Sequence, residues 1–553
     1  MKPKNPLLVF TLAASCGLGL SLTASAQTTY TLPTTTGAWN WTSTALGGTG
    51  WADNSSATGS IADLRGWNGG SAAATITSSE SRLAYQLIMD QADAGGRRVL
   101  GGGNAASNLT IGAGGIINAA TSGTTVDVRT QVTVGANQSW EAGLGGNNTL
   151  IMDFRPSSSD ATKLNLGGNN LTIGDRVSLQ FDLGNTVTTP YSFIGSGSSG
   201  TITAGGSGNT GTIGIGSQEL QNNETLDLTG ATLAVTSANR SGITFGRGGQ
   251  PGTIIKIDGL SGTSALSTHR GGITFNTSSS VATTTTVQLV GSGNYTIDAR
   301  IQDSNTPFAG SALLIQKTGS GNQTFAGAGT AATGGGSWNS SAALQVDAGR
   351  FIISGDKNGT GAMTVNTTGT LIVDGTAAGS TTVNAGGKLA GHGTVAAITL
   401  TGGASSGGVL DVSAATGSAL GDMNATSLIW NGTDSAFSQM KFDLGSSNAS
   451  DKLILSGNMT KGTGSIFEWD FGGTGVLDNT YTLVTAAGGF GSGASLFTAG
   501  NFSYKNLASG LTGSFSISGS NLQFATSYSP IPEPTSALAG LLITAGLLRR
   551  RRG

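Results

Sequence analysis

Between Thr34 and Tyr528 apolar and polar residues alternate in short runs, as in Asn108-Leu-Thr-Ile-Gly112, Val126-Asp-Val128 and Thr225-Leu-Asp-Leu-Thr229. Period two sends successive side chains to opposite faces of a sheet, so each run predicts a β-strand with one face buried. Clusters of Gly, Asn and Ser separate the runs and supply turn chemistry: glycine reaches positive φ freely and asparagine bonds to nearby backbone. Proline is almost absent from the same span, as long hydrogen-bonded ladders require.

An aspartate recurs beside or between the apolar residues, at Asp127, Asp153, Asp182, Asp227, Asp258, Asp298, Asp347, Asp374, Asp411, Asp443 and Asp470, at intervals of 26 to 49 residues. Phe181-Asp-Leu-Gly184 and Phe442-Asp-Leu-Gly445 are the same tetrapeptide. Several intervals lie near one structural repeat of about 20 to 30 residues, which marks successive coils of a solenoid with loops where the interval is long. The fold expected is all-β, a right-handed parallel β-helix with β-rich caps. The aspartates are expected to face solvent and to discourage sheet association.

Leu314-Ile-Gln-Lys-Thr-Gly-Ser-Gly321 through Phe325-Ala-Gly327, then Leu344-Gln-Val-Asp-Ala-Gly-Arg-Phe-Ile, resembles the autotransporter-associated β-strand repeat. So does Thr382-Val-Asn-Ala-Gly-Gly-Lys-Leu-Ala-Gly-His-Gly-Thr-Val395. The resemblance, clearest over residues 313–413, implies a solenoid passenger domain of the kind carried by surface proteins. The division that follows is a β-rich N-terminal cap over 27–105, the β-helix over 106–421 and a β-rich C-terminal cap over 422–527. The last segment is set apart by longer, more aromatic runs such as Phe467-Glu-Trp-Asp-Phe471 and Tyr481-Thr-Leu-Val-Thr485. Trp39, Trp41, Trp51 and Trp67 mark the N-terminal piece. Residues outside these runs do not supply the twelve or so strands of a translocating outer-membrane barrel.

The two ends carry a different pattern. Lys2 and Lys4, an apolar stretch from Leu7 to Leu22 and Ala24-Ser25-Ala26 make residues 1–26 a secretory signal, a helix cleaved between Ala26 and Gln27. Cys16 is the only cysteine and leaves with that signal, so no disulfide or thiolate metal site is expected in the mature chain. A lipoprotein reading of Cys16 places leucine at Leu12, one position too far upstream.

At the other end, residues 528–553 hold Pro532-Glu533-Pro534, an apolar run with Leu538, Leu541, Leu542, Ile543, Leu547 and Leu548, and then Arg549, Arg550, Arg551 and Arg552. The prolines keep the motif extended. Ser536 to Leu548 would make a helix of about 20 Å at ~1.5 Å per residue, short against a hydrocarbon core of about 30 Å. The arginines would stay on the cytoplasmic side, with everything N-terminal facing out. These physical features alone fit either a stop-transfer anchor or a processing signal. In order, spacing and placement the tail resembles the PEP-CTERM sorting signal. That resemblance implies recognition and removal by an exosortase-type membrane protease, with only transient residence in the inner membrane.

Composition narrows the function classes. The chain of 553 residues has 92 glycines, 10% charged residues and a formal net charge of −2. Removal of Lys2, Lys4 and the four terminal arginines leaves 21 basic against 29 acidic groups, a net of −8. No nucleic-acid partner is expected, because phosphate binding needs clustered cations.

Motifs with chemical potential are sparse. Gly195-Ser-Gly197-Ser-Ser-Gly200 matches a dinucleotide fingerprint in letters but lacks a following helical pattern. His269 and His392, the only histidines, sit among turn residues and read as solvated loop positions. Glu468 and Asp470 flank Trp469 and share one strand face, a geometry that could set two carboxylates beside a sugar, although a wet strand face is the simpler reading. The calcium-binding form of glycine-rich repeat is not found.

No catalytic residue, metal or cofactor is assigned. The function expected is a non-enzymatic cell-surface or extracellular-matrix protein, structural or adhesive, with weak contacts to extracellular polysaccharide or like chains. The alternatives are a β-helix polysaccharide lyase or hydrolase, which needs acidic and basic groups converging in one groove, and an autotransporter-like adhesin passenger.

Overall fold

The computed structural model describes most residues from 108 to 528, apart from loops between strands, together with short strand segments between 29 and 100. Residues 1–28 and 529–553 lie outside the described residues. The signal residues Ala24, Ala26 and Gln27, the sorting motif, the apolar tail and Arg549 to Arg552 therefore fall outside it, as does His269.

The described chain is built from β-strands, almost all paired in parallel, and contains no α-helix. The repeating unit is plainest where loops are shortest. Ala343–Val346, Gly349–Ile353 and Asp356–Lys357 form three consecutive strands on three faces. The chain then returns to the first face at Met363–Val365, with Leu344 beside Met363. Each strand thus lies next to the strand one coil away, which produces three parallel ladders running along a solenoid.

Coil length follows from these registers. Met363 pairs with Thr381 and Thr381 with Ile398, coils of 18 and 17 residues. Ile398 to Leu428 and Leu428 to Met459 take 30 and 31. Loops account for the excess, because the pairing residues stay in register on both sides of each insertion.

The first two ladders join into one 29-stranded sheet. Long strands such as Thr225–Ser237 and Thr253–Ser264 run unbroken across the corner between the two faces, with a register shift between Leu228 and Thr232 to make the bend. The third ladder forms a 10-stranded and an 8-stranded sheet. Single-residue bridges from Trp338 to Ile301 and to Lys357 connect them.

The ladders extend past both expected cap boundaries. Thr29–Thr31, Ile61–Asp63 and Arg82–Met89 pair in parallel with the strands that follow, so part of 27–105 already belongs to the ladders. Downstream, Phe467–Gly473 and Phe502–Lys505 still pair in parallel. Among the described strands, antiparallel pairing is confined to Leu511–Ser518 and Asn521–Tyr528, a hairpin laid against Thr480–Ala486. The aromatic run expected to form a cap is therefore mostly terminal coils, and among the described strands the hairpin departs from the solenoid. Its aromatics close the end: Phe515 and Phe524 contact Phe471, and Phe515 also contacts Trp469 and Phe502.

Inward side chains stack coil on coil. Phe351, Leu371, Leu389, Leu410, Met440 and Trp469 form one row on the second face, all buried. At corners the backbones of neighbouring coils come too close for any side chain. Gly349 has φ of 64°, and a Cβ there would lie 2.4 Å from the Gly319 carbonyl oxygen, which only glycine tolerates.

The recurrent aspartates do not mark one position per coil. Phe181 sits on the third ladder and Phe442 on the second, so the two identical tetrapeptides occupy different faces. Nor are the aspartates open to solvent: Asp127, Asp153, Asp182 and Asp411 are buried and the rest partly so. Asp347 is representative, accepting from Asn366 (2.6 Å), Gln316 (2.5 Å) and Gln345 (2.9 Å). Burial opposes its charge, but these amide donors outweigh burial and hold its carboxyl below the ordinary value. Asn384 donates to Asn366 in turn (2.6 Å), which extends a polar ladder along the corner.

Truncation inside a stacked row leaves a cavity that the coils above and below cannot close. Leu389→Ala is expected to cost about 3 kcal/mol, measured by chemical denaturation as a lower midpoint with the slope retained.

Candidate functional site

The sequence candidates separate once they are placed on the coils. Gly195 to Gly200 is a corner turn in which the Ser198 hydroxyl accepts from the N–H groups of Leu166 (2.7 Å) and Gly167 (3.0 Å), and a strand rather than a helix follows. Glu468 and Asp470 point outward on the second face while Trp469, between them, is fully buried. The indole therefore cannot stack on a sugar held by these carboxylates. Lys505 lies 3.4 Å from Glu468 and Lys441 3.9 Å from Asp470. With Lys388 and Asp411 at 2.9 Å, these pairs set alternating charges along one face of the last coils. The wet-face reading describes this geometry.

His392 lies at a corner, its backbone N–H 3.4 Å from an Asp374 carboxylate oxygen. Nearby, Asp451 is fully buried and accepts from the N–H groups of Asp443 (2.7 Å) and Gly421 (3.0 Å). Burial, more than these opposing donors, sets its pKa, and pushes its carboxyl above the ordinary range. Asp443 is raised by burial and then by the charge of Asp411. Asp451 bonds backbone on two coils, which is an architectural role. Among the described residues, no group of three or more His, Cys, Asp or Glu side chains is placed to hold a metal ion.

The described tryptophans Trp140, Trp338, Trp430 and Trp469 are all fully buried. These four indoles therefore cannot stack on a polysaccharide.

A polar groove does form on the second face. Ala113, Asn137, Gln138, Ser139, Glu141, Asn170 and Thr172, drawn from three successive coils, line an open groove of about 500 Å³, within the usual range for small-ligand sites. Its floor is fixed from behind. Buried Trp140 donates through Nε1 to Gln138 Oε1 (2.9 Å), and Gln138 Nε2 donates to the Ile111 carbonyl (2.8 Å). Asn137 Oδ1 accepts from the Asn170 N–H (2.8 Å), which joins two coils across the groove. Gly174 lets the next coil lie close against Glu141, since a Cβ there would come within 2.7 Å of Glu141 Cβ.

Ser139 donates to Glu141 Oε1 (3.3 Å). The Asn170 amide and Thr172 hydroxyl make no side-chain hydrogen bond among the described residues. Amide, hydroxyl and carboxylate groups on a rigid surface can bond the hydroxyls of a neutral sugar. A single carboxylate with no cation in the lining would repel an anionic one. Sequence reasoning missed this groove because its residues come from separate coils and none carries a motif. The signal present was Ser, Thr and Asn at outward positions beside glycine.

Two lysines that no sequence motif marks are buried in the coils. Lys317 and Lys357 are fully buried, and each Nζ donates to the carbonyl of the glycine two residues on, Gly319 and Gly359. Lys357 also reaches the Gly361 carbonyl (3.0 Å) and lies 5.3 Å from the Trp338 ring centroid. Burial lowers both lysines to about 8.

The unfolded chain therefore binds more protons than the native one between pH 8 and the ordinary lysine value of 10.5, and stability rises with pH across that window. The expected gain is on the order of 3 kcal/mol for each lysine. Denaturant titrations at pH 7.5 and 10 should show it, and Lys357→Met should reduce the rise while raising stability at the lower pH.

No protein-family model matches the chain, and no curated protein does.

Proposed function

We propose that this chain is an exported structural or adhesive protein of the cell surface or extracellular matrix. Its body is a right-handed parallel β-helix, and it is delivered through a C-terminal tail that is an exosortase-type substrate. The handedness follows from the strong preference of parallel crossover connections. The export reading rests on the signal residues Lys2 to Ala26 and on the Pro532-Glu533-Pro534, apolar and arginine sequence of the tail.

The observation that carries the role of the body is the stacking of three parallel ladders into a shaft. Outward rows such as Ser139 beside Thr172 and Thr172 beside Thr203 present hydroxyls at the spacing of the coils. Regularly spaced hydroxyl and amide groups suit weak contacts repeated along a polysaccharide, which add up through multivalency. The groove over Glu141, Asn170 and Thr172 is a contact on this shaft suited to a neutral glycan.

Two measurements test the reading. The intact mass of the protein from its native envelope is expected to lack residues 1–26 and the arginine-bearing end of the tail. A species that retains Arg549 to Arg552 would refute tail removal. Separately, the double variant Asn170→Ala, Thr172→Ala is expected to weaken retention on an immobilised neutral polysaccharide roughly tenfold, as loss of one or two hydrogen bonds implies. Unchanged retention would exclude the groove as the contact.

A further inference from the structure

The terminal hairpin leaves one strand edge exposed, and its chemistry points to a specific occupant. Leu511–Ser518 pairs with Asn521–Tyr528 without any register shift. Gly519, with φ of 57°, occupies the first position of the two-residue turn, where the tight hairpin turn with glycine first requires positive φ. Counting back from this turn, the backbone groups of Ser518, Ser516, Ser514 and Thr512 face the partner strand, and those of Ile517, Phe515 and Gly513 face outward. The outward assignment fits the bond from the Gly513 N–H to the Tyr504 hydroxyl (2.9 Å). Among the described residues no such bond serves the N–H of Phe515 or Ile517.

Exposed edges are ordinarily blunted by charge, proline, a bulge or shortness. This edge has none of these: eight residues, Leu-Thr-Gly-Ser-Phe-Ser-Ile-Ser, uncharged and without proline or bulge. Its apolar row is also incompletely covered. Phe515 and Ile517 are only partly buried, whereas their cross-strand neighbours Phe524 and Leu522 are fully buried. Among the described residues the outer strand lacks the neighbouring strand that covers the inner one.

We propose that a second copy of this chain supplies that neighbour, the two Leu511–Ser518 edges pairing antiparallel about a two-fold axis at Ser516. Antiparallel pairing about that axis sets Phe515 opposite Ile517 of the second copy and Ile517 opposite its Phe515. The N–H and C=O groups of all four residues are then satisfied, and the two partly covered apolar rows meet. Ser516 faces its own copy in the close, non-hydrogen-bonded pair. No charge opposes the contact. The strand pair is smaller than a standard stable interface, so the dimer is concentration-dependent.

This inference names the partner left open among like chains and stands on the geometry of the hairpin, independently of tail processing. Its test uses the full chain with Cys16→Ser, which leaves no other cysteine. Ser516→Cys is expected to form a disulfide-linked dimer under mild oxidation, while the equally exposed Thr512→Cys, which would not face itself, forms far less. Analytical ultracentrifugation of the unsubstituted chain should show a monomer–dimer equilibrium that Ser516→Lys abolishes with its circular dichroism and thermal midpoint unchanged. A monomer at all concentrations, or equal cross-linking at positions 512 and 516, would overturn the proposal and leave the export reading untouched.

Discussion

Every strand in a coil sends its N–H and C=O groups along the solenoid axis, so a coil satisfies its backbone only by lying on another coil. From that constraint the other features follow. The coil length can change from 17 to 37 residues because only the paired positions must coincide, and loops absorb the rest. Corners require glycine where two backbones meet, as at Gly349 above Gly319. Side chains of the same face stack in rows, apolar inward and polar outward, because identical registers place them one above another.

Stacking also explains how polar groups are accommodated. Asp347, Asn366 and Asn384 occupy the same corner in successive coils and bond to one another, so burial of each is offset by the next coil. Lys317 and Lys357 are different: their charges are met by carbonyls of their own turns rather than by an acid. Such groups cost stability when charged and fix the turn they bond. The Lys-x-Gly sequence at both sites gives the same local solution at two different corners.

A stack has two ends, and the constraint fails at each unless something else takes the place of a coil. At the C-terminal end the aromatic cluster over Trp430, Trp469, Phe502 and Phe515 fills the core, and a hairpin turns the last sheet across it. The cap covers the core but creates a free edge of its own. Cap and association surface are thus two consequences of one hairpin.

Alternation, turn residues and lack of proline were enough to read an all-β stack of coils from the chain, because period two and glycine placement are local properties. The proposed export signals rest on equally local patterns, at Lys2, Ala24 to Gln27 and the residues from Pro532 to Arg552. Position within the stack was not legible. Phe181 and Phe442 head the same four residues yet lie on different faces. Glu468, Trp469 and Asp470 read as a cluster yet face opposite ways, and the 422–505 segment read as a cap yet continues the ladders. The groove at Glu141, Asn170 and Thr172 and the burial of Lys357 under Trp338 arise from residues one coil or more apart. Sequence determined what each strand is, because that depends on neighbours along the chain; tertiary structure alone decided what each strand touches, because loop length sets how far away the next coil lies.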